Sequence, residues 1–134
     1  MIIQKAMSKI KITENDVIRA SNNYLQIKKN QRKLMFIRNN SGAFPIDDGK
    51  NKRRYIRFGD KGSPDFLVWQ RIQVPASVPC LKEFKLRSIT LEAKSKDGKQ
   101  SKDQKEWQVE FEAIGGEYYI YRSVDEAINI IEGR

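Results

Sequence analysis

The chain has 134 residues, 39% of them hydrophobic and 10% aromatic, which suits one folded domain and excludes a disordered tail or two ordinary domains. Its net charge of +9 is uneven: residues 1–63 carry fifteen Lys/Arg against five Asp/Glu, while the rest is close to neutral, so an anionic partner is expected. With no histidine and one cysteine, Cys80, the chain is excluded from Ser-His-Asp and Cys-His catalysis, from zinc-hydrolase sites and from an intrachain disulfide. Acid, lysine and tyrosine chemistry remain. The lone thiol fits a reducing compartment, and no run approaches the length of a membrane helix. Met1 to Lys5 lacks the sustained apolar region of a secretion signal. Residues 1–11 read as a flexible leader, with Met7 an equal candidate for the start, and the location expected is cytoplasmic.

Thr13-Glu14-Asn15-Asp16 predicts a helix start, with Thr13 as N-cap and Asp16 able to reach back to it. The helix runs to about Lys29 on an apolar face of Val17, Ile18, Ala20, Tyr24, Leu25 and Ile27. Glu14 falls near the inward edge of its first turn. An acid there favours the helix dipole, so that reason and a metal-binding role both stand. Strands are expected over Lys33–Arg38 and Arg53–Phe58, separated by polar loops at Asn39-Asn40-Ser41-Gly42 and Asp47–Asn51. Arg53, Arg54 and Arg57 alternate with aromatic and aliphatic residues, a pattern that suits phosphate contact and equally a solvated strand face.

Gly62-Ser63-Pro64-Asp65 is a glycine-punctuated turn leading into the apolar run Phe66 to Trp69, the mark of a buried strand. An acid at the mouth of such a strand is costly to bury without a cation or donors. Residues 70–85 are expected to form an irregular connection without chemistry. The central strand, Arg87 to Lys94, puts Ile89, Leu91 and Ala93 on one face and Thr90, Glu92 and Lys94 on the other. Pairing it antiparallel with the preceding strand brings Asp65 beside Glu92 and Lys94. Two acids and a lysine then meet, able to hold a hard cation and manage a proton, although Glu92–Lys94 alone is also what an ordinary same-face ion pair looks like.

A basic loop carrying Lys96 and Lys99 precedes Ser101-Lys102-Asp103-Gln104, a second capping box, which opens a helix with Trp107, Phe111 and Ile114 at core spacing. Gln104 projects from its first turn toward the inward side. Gly115-Gly116 ends the helix, Glu117–Arg122 is a strand, and Ser123 caps a last helix packed through Val124, Ala127, Ile128 and Ile131. The expected order is α-β-β-β-β-α-β-α, an α/β fold with a central mixed sheet flanked by helices and a parallel pair across residues 87–122.

Gly62-Ser63-Pro64-Asp65, Glu92-Ala93-Lys94, Gln104 in its capped helix, and Gly115-Gly116 before Tyr118–Ser123 together resemble the VRR-Nuc (virus-type replication-repair nuclease) domain of the PD-(D/E)xK nuclease superfamily. The Thr13-Glu14 helix and Arg38-Asn39-Asn40-Ser41-Gly42 are similar to its front half, so the resemblance spans roughly Ile12 to Glu132. It departs where Lys102-Asp103 precedes Gln104 and in the long connection at 70–85. The resemblance implies a restriction-endonuclease-like core. Asp65, Glu92, the Ala93 carbonyl and Glu14 would be ligands for Mg²⁺, with Mn²⁺ as substitute. Lys94 would orient or deprotonate a water, and Gln104 would support the site. It also implies cleavage of DNA by a homodimer selecting branched or Holliday-junction substrates, of the kind phage-associated members process in a bacterial host. Arg38, Asn40, Arg53, Arg54, Arg57, Lys61, Lys96 and Lys99 are the expected nucleic-acid contacts, and no nucleotide cofactor or membrane is expected. A non-catalytic DNA-binding module and a nicking or restriction-type nuclease are the alternatives.

Overall fold

A computed structural model describes residues 10–39, 42–47, 49, 54–75, 77 and 82–133. In chain order these form α1 (Glu14–Asn30), β1 (Leu34–Arg38), β2 (Gly42–Ile46), β3 (Arg54–Phe58), β4 (Phe66–Val74), β5 (Glu83–Ala93), α2 (Lys102–Ala113), β6 (Glu117–Tyr121) and α3 (Val124–Glu132). The expectations placed on Met7, Asn40, Arg53 and Cys80 lie outside the described residues, as does the Arg57 side chain.

Both capping boxes form. Thr13 accepts from the Asp16 N–H and Asp16 returns the bond to the Thr13 N–H, while Ser101 and Gln104 repeat the arrangement at α2. Four strands make one mixed sheet in the order β1-β4-β5-β6. The β4–β5 pair is antiparallel, with Phe66 opposite Leu91, and β5–β6 is parallel, with Ala93 opposite Tyr121. The strand–helix–strand crossing that separates β5 from β6 gives the parallel pair, because short hairpins cannot.

Leu34, Phe36, Phe66, Val68, Ile89, Leu91, Ala93 and Tyr121 all point to one face of that sheet. There they pack against Val17, Ile18 and Leu25 of α1 and Ala127 and Ile131 of α3. Lys28 reaches Glu132 at 2.7 Å and joins the two covering helices. Arg87 on β5 grips Glu117 on β6 through both carboxylate oxygens at 2.9 Å, and it also donates to Gln70 of β4. The opposite face carries Thr90, Glu92 and Lys94. Over β1 it is open, since Met35 and Ile37 are exposed.

Three expectations are corrected. Gly42, expected in a loop, begins a strand that runs to Ile46 and pairs antiparallel with β3 in a separate two-stranded sheet. Pro45 hides it in the sequence, and an edge position tolerates the missing N–H. Residues 70–85 are not wholly irregular: β4 continues to Val74 and β5 begins at Glu83, and the two pair as a long arm with exposed outer residues. Finally, Trp107 and Phe111 are half-buried, not core. They stack on each other at 5.0 Å, and no residue of α2 is fully buried.

Candidate active site

The site lies where the Gly62–Asp65 turn, the end of β5 and the start of α2 converge. The turn is held from two directions. Asn39, just past β1, donates its side-chain amide to Ser63 Oγ at 2.6 Å and to the Pro64 carbonyl at 2.9 Å, while its backbone N–H reaches the Asp65 carbonyl at 2.7 Å. From the other side the turn meets the first turn of α2. A Cβ on Gly62, whose φ is +81°, would stand 2.5 Å from the Asp103 carbonyl carbon and oxygen. Lys61 pairs with Asp103 at 3.4 Å, and the Trp107 indole donates to Asp60 at 3.3 Å. Glycine at 62 is thus what lets α2 come this close.

That approach places Gln104. Its side-chain oxygen accepts from the Ser101 N–H at 2.9 Å, closing the capping box, and its amide nitrogen donates to Glu92 Oε1 at 2.8 Å. One side chain therefore both caps α2 and orients a carboxylate on β5. Lys94 Nζ stands 3.5 Å from the same Glu92 oxygen. Asp65 Oδ2 accepts the Ala93 N–H at 2.8 Å, which ties the turn to β5 between Glu92 and Lys94. At Ala93 it is the N–H that the structure engages.

The electrostatics follow from burial. Glu92 is 3% exposed, and its second oxygen, Oε2, has no hydrogen-bond partner. Burial first, then the negative charge of Asp65, pushes its carboxyl up to about 8, against the opposing pull of Lys94. Asp65 is raised as well, mainly by burial, while the Ala93 N–H and the charge of Arg38 oppose the rise. Glu14 contributes to raising both acids, so α1 does deliver its first-turn glutamate to this neighbourhood. The Tyr118 and Tyr121 hydroxyls are also buried, and burial pushes Tyr118 up to about 12 against the opposing pull of Gln100.

A hard divalent cation fits this donor set. Among the described residues no three Asp, Glu, His or Cys side chains are grouped to enclose a metal, and Asp65 and Glu92 are the two carboxylates that the turn and β5 bring together. Mg²⁺ is commonly held in that way, by one or two carboxylates with waters and substrate phosphates. The buried, unpartnered Glu92 Oε2 is the strongest sign, since such an atom is costly unless something positive or hydrogen-donating meets it.

Asp65, Glu92, Ala93, Lys94 and Gln104 are thus gathered, with Glu14 and Arg38 acting on them through charge. Arg38 lies 5.4 Å over the Phe66 ring, at the β1 end nearest the turn. Lys61 is on the turn, and Lys96 and Lys99 are exposed on the loop after Lys94. Arg54 is exposed on β3, in the separate hairpin. Asn39 was not legible as a site residue, because its role depends on a turn 24 residues away, and an Asn beside Asn40-Ser41-Gly42 looks like loop chemistry. No helix among the described residues is long and apolar enough to cross a membrane. Compared with protein-family models, curated proteins and solved structures, the chain matches none.

Proposed function

We propose that this chain is a metal-dependent nuclease of the PD-(D/E)xK class. Within that class the VRR-Nuc type is the best fit: a Mg²⁺- or Mn²⁺-dependent endodeoxyribonuclease acting on branched DNA such as four-way junctions or flaps. The observation that carries the reading is the pair of raised acids, half-buried Asp65 and buried Glu92, held by the Ala93 N–H and Gln104 beside Lys94. A module that only binds DNA has no need to bury a partly unsatisfied carboxylate beside a second acid.

When bound, a divalent cation acidifies a water and offsets negative charge developing on the phosphate in the transition state. Asp65 and Glu92 supply the charge that holds it, Gln104 fixes the orientation of Glu92, and Lys94 presents a cation to the attacking water and the phosphate. Arg38, Lys61, Lys96 and Lys99 supply sequence-independent attraction for the backbone. A homodimer belongs to the same reading, since cutting two strands of a four-way junction calls for two centres related by a twofold axis.

The reading is tested by calorimetric titration with Mn²⁺. One or two sites are expected in the wild type and none in Asp65→Asn. Because both acids must ionise to bind, the apparent affinity rises with pH up to about 8, where Glu92 titrates. Equal binding by wild type and Asp65→Asn would reject the site.

A further inference from the structure

A cavity of about 570 Å³ opens beyond Lys94, and the geometry points to it as a subsite for one unpaired nucleotide of a DNA strand. This inference rests on the nuclease reading and adds residues outside the acid–lysine cluster. Lys11, Lys96 and Arg122 line the cavity with Ile10 and Ile12, and Asp97 is the acid among the described lining residues.

Position comes first. Lys96 lies two residues after Lys94, and Arg122 follows Tyr121, whose carbonyl accepts the Lys94 N–H at 3.0 Å. The cavity therefore begins at the strand ends that carry the site, where the continuing strand of a bound substrate must pass. The loop beneath it is built to keep its shape. Arg122 Nη1 donates to the carbonyls of Ser95, Lys96 and Gly98, the last at 2.8 Å, so a single guanidinium clamps three backbone groups and leaves its charge in the cavity wall.

Size and chemistry set the occupant. A cavity within the roughly 300–1,000 Å³ of small-ligand sites takes a nucleotide but not a duplex. Three cations against one acid favour a phosphate. Ile10 and Ile12 are 73% and 65% exposed, an apolar edge that water does not reward and that the flat face of an unstacked base covers. A paired base keeps its faces in the stack and cannot use that edge. The subsite thus rewards DNA that offers an unpaired nucleotide next to the cleavage point, as flaps and open junctions do.

The test is fluorescence anisotropy in EDTA, without turnover, comparing a labelled five-nucleotide oligothymidylate with a blunt duplex. Lys11→Ala is expected to weaken oligothymidylate binding about fivefold and to lower its salt slope by about 0.7. Ile12→Asp should weaken it about tenfold, and duplex binding should change less than about twofold. Asp97→Asn should bind the oligothymidylate about twofold more tightly, a gain that misfolding cannot produce. Unchanged oligothymidylate affinity, or equal losses on the duplex, would overturn the subsite. Cleavage of branched DNA by the wild type with Mn²⁺ is scored separately. If the wild type cleaves while the cavity variants bind normally, only the subsite fails; if the variants behave as expected and nothing is cleaved, only the nuclease reading fails.

Discussion

Glu92→Gln is expected to abolish cleavage, by about a thousandfold or more, while making the metal-free protein harder to melt at alkaline pH. The two effects share one cause. The Glu92 carboxyl sits at about 8 in the fold, against an ordinary value of 4.5, so between those values the native state holds a proton that the unfolded chain has released. Stability therefore falls as pH rises from 4.5 to about 8, and the benefit of the protonated form is lost above that. Asp65 is shifted the same way and adds to the fall. In EDTA the wild-type melting temperature should decline across this window, and Glu92→Gln should flatten the decline, melting higher than wild type at pH 8.5 by about 5 °C. Mn²⁺ should recover the wild type at pH 8.5 by mass action and leave Glu92→Gln where it was. A Gln variant that melts below the wild type at pH 8.5 in EDTA would mean that the carboxylate is held by the protein alone, with no burden left for a cation to relieve.

Gly62→Ala has the largest expected effect on folding. The added Cβ would meet the Asp103 backbone at 2.5 Å, a contact that no rotamer change relieves, and φ at +81° is strained for any residue with a side chain. Together these cost about 2–4 kcal/mol, lowering the melting temperature by about 10 °C or more. Gly115→Ala separates the two terms, because Gly115 has φ +95° but nothing within 4 Å of its would-be Cβ. It should lose only about 1 kcal/mol, the backbone term. At a temperature where Gly62→Ala remains folded, cleavage should still drop, because moving α2 off the turn withdraws Gln104 from Glu92. An alanine variant as stable and active as the wild type would show that the turn and α2 do not dock as described.

These two positions also mark what the sequence could and could not say. The capping box Ser101–Gln104 was legible because it spans three residues, and the alternation around Glu92 placed that side chain and Lys94 on one face. The antiparallel pairing of β4 with β5 followed from the need to bring Asp65 to them, and the observed register, Phe66 opposite Leu91, does so. That Gln104 would use its remaining amide to hold Glu92 was not legible, nor was the reason for Gly62, since both depend on how closely α2 approaches a turn about 40 residues earlier in the chain. The strand Gly42–Ile46 and the arm of β4 and β5 escaped for another reason. Pro45 interrupts the first, the outer residues of the arm are exposed, and an exposed strand lacks the hydrophobic alternation by which strands are recognised. Trp107 and Phe111 misled in the opposite direction: helical spacing predicts a face, but here that face covers only Tyr118 and part of the sheet edge.

The central claim is that Asp65, Glu92 and Lys94 form a metal-dependent phosphodiesterase centre. The most direct measurement incubates the wild type with linear, flap and four-way DNA in Mg²⁺, Mn²⁺ or EDTA and resolves the products on a denaturing gel. The account predicts cleavage in either metal, greatest on the branched substrates, and none in EDTA. Intact strands on every substrate in both metals would contradict it.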